Sequence, residues 1–504
     1  MTRPDIVIFN PDQWRGDAVQ HLGHPAVQTP VLDELVANDA VSFRHAFVQA
    51  TVCTPSRCSF MTGWYPHVRG HRTMHHMLNP NNDEPNLLKV LRDQGYFVWW
   101  GGKNDMVPGQ LGYAEHCDVK FRPTRVDYER WGVEPSEGNH GGNLAWRGDP
   151  DGDNYYSFFK GKLSRGDGGK YFDGDWAMVQ GAIDFLNTYE GEQPLCLFLP
   201  LGYPHPPYCV EEPWYSITDR AAIPSRFEYS EWDDKPSLLR GIREGQGLTR
   251  WSEERWRELR ATYYGMCSRV DHQLGLLIDA LKASERYERT ALFLFSDHGD
   301  FTGDYGLVEK TQNTFQDCLS RVPFVFKPPA DLGIQNGIYD HLIELVDFPA
   351  TVYDLAKIDC GYWHFGVSLL PLLHGTVDSH RRAVFTEGGR LHGEVQASER
   401  ESMASNTPLG LYSPRVSLQV EESSQLKHTK ATMCRTRDFK YVRRAYELDE
   451  FYDLTDDPGE TVNQIDNPAY AEALLTHREL MLEWYMRTCD VVPLQTDQRN
   501  FARV

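Results

Sequence analysis

Four polar residues of this chain each follow a short apolar run that is predicted to be a β-strand, namely Asp12, Lys103, His205 and Asp297. The corresponding runs are Asp5–Phe9, Tyr96–Trp100, Leu195–Leu201 and Ala291–Ser296. Loops at the carboxyl ends of parallel strands are where open α/β sheets hold their ligands. We therefore expect the four side chains to share one site. Asp12 and Asp297 there supply the carboxylates that a hard cation needs.

A cysteine lies in the most distinctive stretch of the sequence, which reads Val52-Cys53-Thr54-Pro55-Ser56-Arg57-Cys58-Ser59-Phe60-Met61-Thr62-Gly63. An isolated cysteine is ordinarily an inert core thiol, and Cys58 is interpreted in that way. Arg57 comes one helical turn after Cys53, so both fall on one helix face and the guanidinium can steady an ionised group at position 53. A plain cysteine hydrolase is disfavoured, because Arg57 is the only charged group nearby and no base adjoins the thiol.

The same stretch resembles the sulfatase signature, in which Cys-x-Pro-x-Arg is read by formylglycine-generating enzymes and a Thr-Gly pair follows. The matching residues are Cys53, Pro55, Ser56, Arg57, Thr62 and Gly63. The resemblance implies that Cys53 is oxidised to formylglycine by a formylglycine-generating or anaerobic maturase enzyme. One hydroxyl of the hydrated aldehyde then attacks sulfur while a divalent cation lowers its pKa, and the other expels sulfate as the aldehyde re-forms.

The resemblance extends the metal site to the neighbours of the two aspartates. Sulfatases usually end their first strand with an aspartate pair; here Gln13 follows Asp12, as in choline-sulfatase-like and phosphonate-hydrolase-like relatives, and would contribute an amide oxygen. His298 in the Asp-His-Gly turn and position 53 complete the implied ligand set. One divalent cation is expected, with calcium as the first assignment and manganese or magnesium as alternatives, because imidazole suits softer ions.

Three further residues match positions where sulfatases bind the substrate anion, namely Lys103, His205 and Lys310. Hydrogen-bond donors must already be in place where negative charge develops in the transition state. His205 is the candidate general acid. Asp105 stands where the family has a histidine two residues after the first lysine. His71 or His75 is the candidate replacement. The remaining nearby acids, Asp300 and Asp304, either support the metal ligands or are solvated loop residues, and the second interpretation is preferred.

The elements that position these residues indicate an α/β fold, because apolar strands alternate with helical patterns. Apolar residues recur at steps of three and four from Met266 to Leu281, which predicts a long helix. The resemblance implies an alkaline phosphatase-like α/β sandwich with a large mixed, mostly parallel sheet. A smaller C-terminal α+β subdomain with a four-stranded antiparallel sheet and one helix would follow. The predicted boundaries are 1–380 for the catalytic domain and 381–504 for the subdomain.

Local patterns add detail to this outline. Residues 122–174 are irregular and rich in Gly, Asp, Trp and Tyr, which is typical of a surface insertion or a substrate-shaping loop. Glu387–Ser413 is a candidate lid. Further along, Lys430–Val442 is predicted as a strand, Phe451–Pro458 as a turn region and Ala469–Met486 as a closing amphipathic helix.

Composition limits the partners. The 504 residues carry a formal net charge of −21, which argues against nucleic acid or an anionic membrane surface, and an anionic substrate would need a local cationic pocket. No apolar run is long enough to span a bilayer. The ten scattered cysteines indicate a reducing compartment, and the first strand begins without a signal-peptide pattern, so cytoplasmic residence is predicted. A homo-oligomer is expected by analogy with the relatives.

The substrate is predicted to be a sulfate monoester of a carbohydrate or a small organic alcohol. Trp131, Trp146, Tyr155 and Tyr156 either stack on its alcohol part or belong to the core, and Arg390 and His392 are further candidates for contacting it. A phosphonate monoester or phosphodiester hydrolase with the same formylglycine and metal site is the alternative. A catalytically silent binding protein is disfavoured, because neither the nucleophile nor a metal aspartate is lost.

Overall fold

The computed structural model describes residues 3–74, 76–82, 84–138, 144–165, 168–394, 412–418 and 428–494. The strands of these residues are β1 Asp5–Asn10, β2 Val41–Phe47, β3 Phe97–Gly101, β4 Val119–Phe121, β5 Phe159–Leu163, β6 Leu195–Pro200, β7 Tyr208–Glu211, β8 Thr290–Phe295, β9 Arg321–Val322, β10 Phe324–Lys327, β11 Gly337–Glu344, β12 Val384–Gly388, β13 Ala431–Arg435, β14 Phe439–Arg444 and β15 Glu450–Asp453. The α-helices are α1 Pro30–Asn38, α2 Cys53–Thr62, α3 Pro66–Arg69, α4 Leu87–Asp93, α5 Arg125–Trp131, α6 Gly174–Thr188, α7 Trp214–Ile217, α8 Ser237–Gly245, α9 Glu253–Ala283, α10 Asp317–Ser320, α11 Asp347–Ala356, α12 Leu370–Leu373, α13 Ser413–Ser417 and α14 Ala471–Thr488.

The central sheet has nine strands in the order β11-β2-β10-β8-β1-β6-β3-β4, and β9 pairs with β2. β1 runs parallel to β6 and β8, and β3 runs parallel to β6 and β4. β10 is antiparallel to both of its neighbours. The carboxyl ends of β1, β3, β6 and β8 therefore meet along one edge, and the predicted mixed, mostly parallel sheet is confirmed.

Helices cover both faces of this sheet. Along β1, Val7 and Phe9 join one hydrophobic core with α1, α6 and α9, whereas Ile6 and Ile8 join the other with α2, α4 and α11. Successive side chains of a strand point to opposite faces, so a strand buried on both faces must be apolar throughout. That requirement explains why the central strands are such clear apolar runs in the sequence.

The long predicted helix is α9, and it spans 31 residues. It begins where the Ser252 side chain accepts a hydrogen bond from the Arg255 backbone N–H at 3.3 Å, and Glu253 and Glu254 occupy its first turn. The serine cap satisfies an otherwise unpaired backbone amide, and the acidic residues of the first turn interact favourably with the helix dipole. The local sequence therefore determines where α9 begins.

The C-terminal part contains the expected four-stranded antiparallel sheet, β12-β13-β14-β15, with α14 packed against it. The prediction of one strand over Lys430–Val442 is wrong. The Thr436 N–H bonds to the Phe439 carbonyl at 2.9 Å, which closes a turn and makes β13 and β14 a hairpin. The turn predicted over Phe451–Pro458 is likewise partly wrong, because β15 occupies its first residues.

The irregular residues 122–174 contain α5 and β5, and β5 pairs in parallel with β7.

No helix among the residues described above is long and apolar enough to cross a membrane.

Candidate active site

Position 53 is the first residue of α2, and all ten residues of this helix are buried. Val52 is extended and precedes the helix, so the chain turns sharply at Cys53. The amino-terminal end of a helix carries partial positive charge and favours an anionic group. Position 53 is therefore suited to hold a nucleophile that becomes negatively charged.

Four potential ligand atoms surround this point, and they belong to Asp12, Cys53, Asp297 and His298, all of them buried. Cys53 Sγ lies 3.1 Å from His298 Nε2 and 3.7 Å from Asp12 Oδ1. His298 Nε2 is 3.8 Å from one oxygen of each aspartate. Oxygen ligands around one calcium ion lie roughly 3.3–3.7 Å from their neighbours. The spacing and chemistry of these donors fit a single divalent cation.

Gln13 adjoins this cluster with a left-handed backbone, φ 69°. Its N–H donates to Asp297 Oδ1 at 3.1 Å, and its Oε1 accepts from Lys310 Nζ at 2.8 Å. Its Nε2 donates to Asp300 Oδ2 at 2.6 Å, which fixes the orientation of the amide. An amide oxygen has two lone pairs, so the contact with Lys310 leaves one for another partner.

Asp300 and Asp304 are not solvated, and that interpretation is wrong. Asp300 is fully buried and also accepts a hydrogen bond from the Tyr208 hydroxyl at 2.7 Å. Burial raises the pKa of Asp300 to about 6. Asp304 is 1% exposed and pairs with Arg15 at 2.7 Å. Both acids follow β8 in a loop that packs into the core, and no local sequence pattern indicates this burial.

Arg57 connects the two metal-site aspartates. Its Nη2 lies 3.0 Å from Asp12 Oδ2, and its Nε lies 2.9 Å from Asp297 Oδ2. Its Nη1 is buried and has no hydrogen-bond partner within the described ranges. An unmatched guanidinium N–H is costly in a buried place, so this atom is suited to a group that arrives with the modified nucleophile or the substrate.

Lys103 approaches from the end of β3. Its Nζ lies 2.5 Å from Asp12 Oδ2 and 3.7 Å from Cys53 Sγ. Burial opposes its charge, but Asp105 and Asp12 hold the pKa of the ammonium well above its usual value. Gly102 sets this geometry at φ +91°, where an added Cβ would lie 2.1 Å from the Pro200 carbonyl oxygen.

His205 and Lys310 form the opposite side. Lys310 Nζ lies 2.9 Å from His205 Nε2. His205 Nδ1 lies 2.6 Å from the Pro206 carbonyl oxygen, which can only accept. Nδ1 therefore carries a proton, and Nε2 is the nitrogen directed toward Lys310.

The family histidine has no replacement at His71. Its Nδ1 contacts the His76 carbonyl oxygen and its Nε2 contacts Glu84, both at 2.9 Å, so both ring nitrogens are engaged elsewhere. His75 lies outside the described residues. Asp105, which holds the family position, instead pairs with Lys103 at 2.9 Å.

The aromatic residues of the insertion contact both their own region and the main body of the protein. Trp131 donates to Asp184 at 2.7 Å, and the Arg147 guanidinium lies 3.5 Å from the centre of the Tyr155 ring. Tyr156 contacts Tyr155, and Trp146 packs against the main core.

At the other end of the chain, Arg390 is buried, whereas His392 is exposed beside Tyr446. Most of the candidate lid, 395–411, lies outside the described residues.

Two charged residues at the site were not identified from the sequence. Glu309 and Arg415 are both buried and contact Lys310 or its backbone. Glu309 precedes a candidate lysine and was the easier of the two to find. Arg415 is separated from Glu309 by 106 residues, and no local sequence pattern identifies Arg415.

The site places buried carboxylates, an imidazole and a potential nucleophile at the carboxyl edge of a mostly parallel sheet, with Lys103 beside Asp12 and Lys310 on the opposite side. These features define a hydrolase of the alkaline phosphatase superfamily. A family model described as Sulfatase matches residues 4–358, more than half of the chain, and the chain belongs to this family. It is a sulfuric ester hydrolase, as predicted.

Named relatives cover nearly the whole chain. A multifunctional alkaline phosphatase superfamily protein, PehA, from Trinickia caryophylli is 26% identical over 97% of this chain and 96% of its own length. A choline-sulfatase from Rhizobium meliloti is 25% identical over 99% and 90%. Among solved structures, a phosphonate monoester hydrolase of Agrobacterium radiobacter superposes with a TM-score of 0.72 at 23% identity over 96% of each chain, which establishes the similarity of fold.

Proposed function

We propose that this enzyme cleaves sulfate monoesters with a formylglycine made from Cys53. The observation that carries this proposal is the meeting of position 53 with Asp12, Asp297 and His298 at the buried end of α2. A maturase enzyme would supply the oxidation of the thiol. Conversion of Cys53 in the purified enzyme, together with hydrolysis of an aryl sulfate, tests the proposal.

The proposed cation ligands are Asp12, Gln13, Asp297, His298 and the modified position 53. A bound divalent cation would supply positive charge that lowers the pKa of the attacking hydroxyl. Calcium is the first assignment because the donor set is mainly oxygen, with manganese or magnesium as alternatives because of the imidazole.

The proposed reaction has two steps. An ionised hydroxyl of the position-53 hydrate attacks sulfur, the bond from sulfur to the alcohol oxygen breaks, and His205, protonated on both ring nitrogens for this step, delivers its Nε2 proton to that oxygen. The second hydroxyl then returns a proton to His205 Nε2, the aldehyde carbonyl re-forms, the bond from carbon to the sulfate oxygen breaks, and addition of water restores the hydrate. Lys103 and Lys310 hold the sulfate oxygens, and Arg57 steadies the ionised hydroxyl.

The proposed substrates are small organic sulfates or sulfated carbohydrates. Similarity to a choline-sulfatase supports the first class. Similarity over 97% of the chain to a hexuronate-2-O-sulfatase from Bacteroides thetaiotaomicron supports the second. Initial rates on a panel of choline, aryl and saccharide sulfates would separate the two classes.

Hydrolysis of phosphonate monoesters or phosphodiesters is the second candidate function. Gln13 after Asp12 and the absence of the family histidine at Asp105 favour it. We expect kcat/KM for an aryl sulfate to exceed that for a phenyl phosphonate monoester, and the reverse order would overturn the choice.

Three further properties are proposals. The chain is divided into a catalytic domain, 1–380, and a subdomain, 381–504, with a variable insertion at about 122–174. The enzyme acts in the cytoplasm. It assembles as a homo-oligomer, which sedimentation of the purified protein would test.

A further inference from the structure

The short helix α13 lies against the loop that carries Lys310. Its residue Arg415 is only 4% exposed. One guanidinium nitrogen, Nη1, contacts Glu309 Oε2 at 2.7 Å and also bonds to the Lys310 carbonyl oxygen. The other, Nη2, donates to the Val308 carbonyl oxygen at 2.8 Å. Arg415 therefore holds three consecutive residues of the loop, although it lies beyond the residues 4–358 that the family model matches.

Glu309 is the residue through which Arg415 reaches the site. It is fully buried, and its backbone is left-handed with φ 67°. Its Oε1 lies 2.5 Å from Lys310 Nζ and accepts a hydrogen bond from the Tyr412 hydroxyl at 3.3 Å. Burial opposes its ionisation, but Lys310 and Arg415 hold the pKa of Glu309 below its usual value. One buried carboxylate thus has two cationic partners.

Lys310 is shared among three groups. Besides Glu309, its Nζ contacts Gln13 Oε1 at 2.8 Å and His205 Nε2 at 2.9 Å. Without Arg415, the buried charge of Glu309 would be balanced by the lysine alone, and the ammonium would be drawn away from Gln13 and His205. The Val308 and Lys310 carbonyls would also lose a donor, which frees a left-handed loop to relax.

We propose that Arg415 is a positioning residue that sets the Lys310 ammonium in the active site by sharing the charge of Glu309 and holding the 308–310 backbone. The inference rests on the proposed role of Lys310 in binding the substrate sulfate. According to this inference, α13, which lies in the proposed C-terminal subdomain, helps to position a lysine of the active site in the large domain.

The first test compares Arg415→Ala and Arg415→Lys with a matched control, Arg220→Ala. Arg220 contacts Glu258 at 3.3 Å and two carbonyl oxygens, those of Tyr215 and Thr218, at 3.0 and 2.9 Å. Its contacts thus resemble those of Arg415, but none of them is a residue of the active site.

We expect Arg415→Ala to lower kcat on an aryl sulfate by about tenfold to a hundredfold, since displacement of a catalytic group by one ångström can have that effect. Arg415→Lys should fall between Ala and the wild type, and Arg220→Ala should retain the wild-type rate. Millimolar guanidinium should restore part of the rate of Arg415→Ala and none of that of Lys310→Met.

The second test is a double-mutant cycle with Glu309→Gln, which needs only the milder Arg415→Lys change if the alanine variant does not fold. The loss caused by the Arg415 substitution should be smaller when Glu309 is already neutral, because there is no charge left to share. Additive losses in the cycle would overturn the inference. A folded Arg415→Ala enzyme within about twofold of the wild-type kcat would also overturn it.

Lys310→Met separates this inference from the proposed function. If Lys310→Met retains full activity, the proposed sulfate-binding role of Lys310 fails, and the inference fails with it. If Lys310→Met is nearly inactive but Arg415→Ala is unaffected, only the inference fails.

Discussion

Two walls of the active site are held in place by different means. The nucleophile wall, Asp12, Cys53 and Asp297, sits at the ends of β1 and β8 and at the start of α2, within the packed core. The cation wall, Glu309, Lys310 and Arg415, consists of a loop and the short helix α13, and its members are tied by side-chain contacts. In the first wall the sheet sets the geometry, whereas in the second a network of charges sets it.

This difference separates two kinds of sensitivity. A residue of the nucleophile wall cannot move far, because its backbone either follows a strand of the buried sheet closely or begins the buried helix α2. A residue of the cation wall can shift whenever one of its partners is lost. Substitutions in the first wall should therefore remove chemistry without displacing neighbours, and substitutions in the second should act partly through neighbours.

The largest effect is expected for Cys53→Ser in the nucleophile wall. A serine has one hydroxyl and would keep the sulfate as a stable ester, so turnover should fall by on the order of 10⁴-fold or more. Intact mass spectrometry after incubation with substrate should detect one retained sulfate group per chain. A serine variant that turns over at a rate near that of the wild type would contradict the proposed second step.

The second-largest loss of activity is expected when the divalent metal cation is removed. Dialysis against a chelator is expected to lower kcat by on the order of a hundredfold or more, because the charge that ionises the nucleophile is gone. Calcium, manganese or magnesium added back should restore the rate, and their order would identify the preferred ion. Asp297→Asn should bind the ion more weakly and need a higher concentration of it. Full activity without any divalent ion would exclude the proposed site.

An intermediate effect is expected for Lys310→Met in the cation wall. Loss of one preorganised donor to the developing charge should lower kcat by about 10²–10³-fold. Lys103→Met is the matched variant, because Lys103 lies 2.5 Å from Asp12 at the other side of the site. It should also strengthen cation binding, because it removes a positive charge beside the proposed cation ligand Asp12, whereas Lys310→Met should leave cation binding nearly unchanged. Equal changes of cation affinity in the two variants would remove the distinction between the walls.

The smallest effect on activity is expected for Arg381→Lys, outside both walls. Arg381 pairs with the buried Asp347 and lies 2.8 Å from Glu344. Lysine keeps the charge but loses the forked geometry, so unfolding free energy should fall by about 1–3 kcal/mol while kcat stays unchanged. Urea titration would measure the unfolding free energy, and initial rates would measure kcat. A variant whose kcat falls together with its unfolding free energy would contradict the expectation that Arg381 affects stability alone.

The same pair predicts how stability depends on pH. Although burial opposes its ionisation, Arg381 and His380 hold the pKa of Asp347 well below its usual value. A carboxyl with a lowered native pKa contributes its full stabilisation above the unfolded pKa and loses it as pH falls below that value. The stability difference between wild type and Arg381→Lys should therefore shrink as pH falls below about 4.

The nucleophile wall was largely predictable from the sequence, whereas in the cation wall only Lys310 was identified. β1, β3, β6 and β8 are largely apolar runs because both of their faces are buried, and a polar site residue follows each of them within a few positions. The distinctive motif around Cys53 also identified the residues at the start of α2. These signals are local, so reading along the chain recovers them.

What escaped prediction depends on contacts between distant segments. Arg415 meets Glu309 across 106 residues, and its own neighbourhood in the sequence contains no recognisable motif. Asp300 and Asp304 look like surface acids, but tertiary packing buries them and gives them partners. The hairpin of β13 and β14 was missed for a simpler reason, because a three-residue turn interrupted a strand-like composition only briefly.

The proposed identity of the nucleophile can be tested by following one peptide. Conversion of Cys53 to the aldehyde lowers the mass of its tryptic peptide by about 18 Da. Preparations made with and without a co-expressed maturase will contain different converted fractions. We predict that specific activity on an aryl sulfate rises in proportion to that fraction and extrapolates to zero when none is converted. Full activity in a preparation whose Cys53 is entirely unmodified would contradict the proposal.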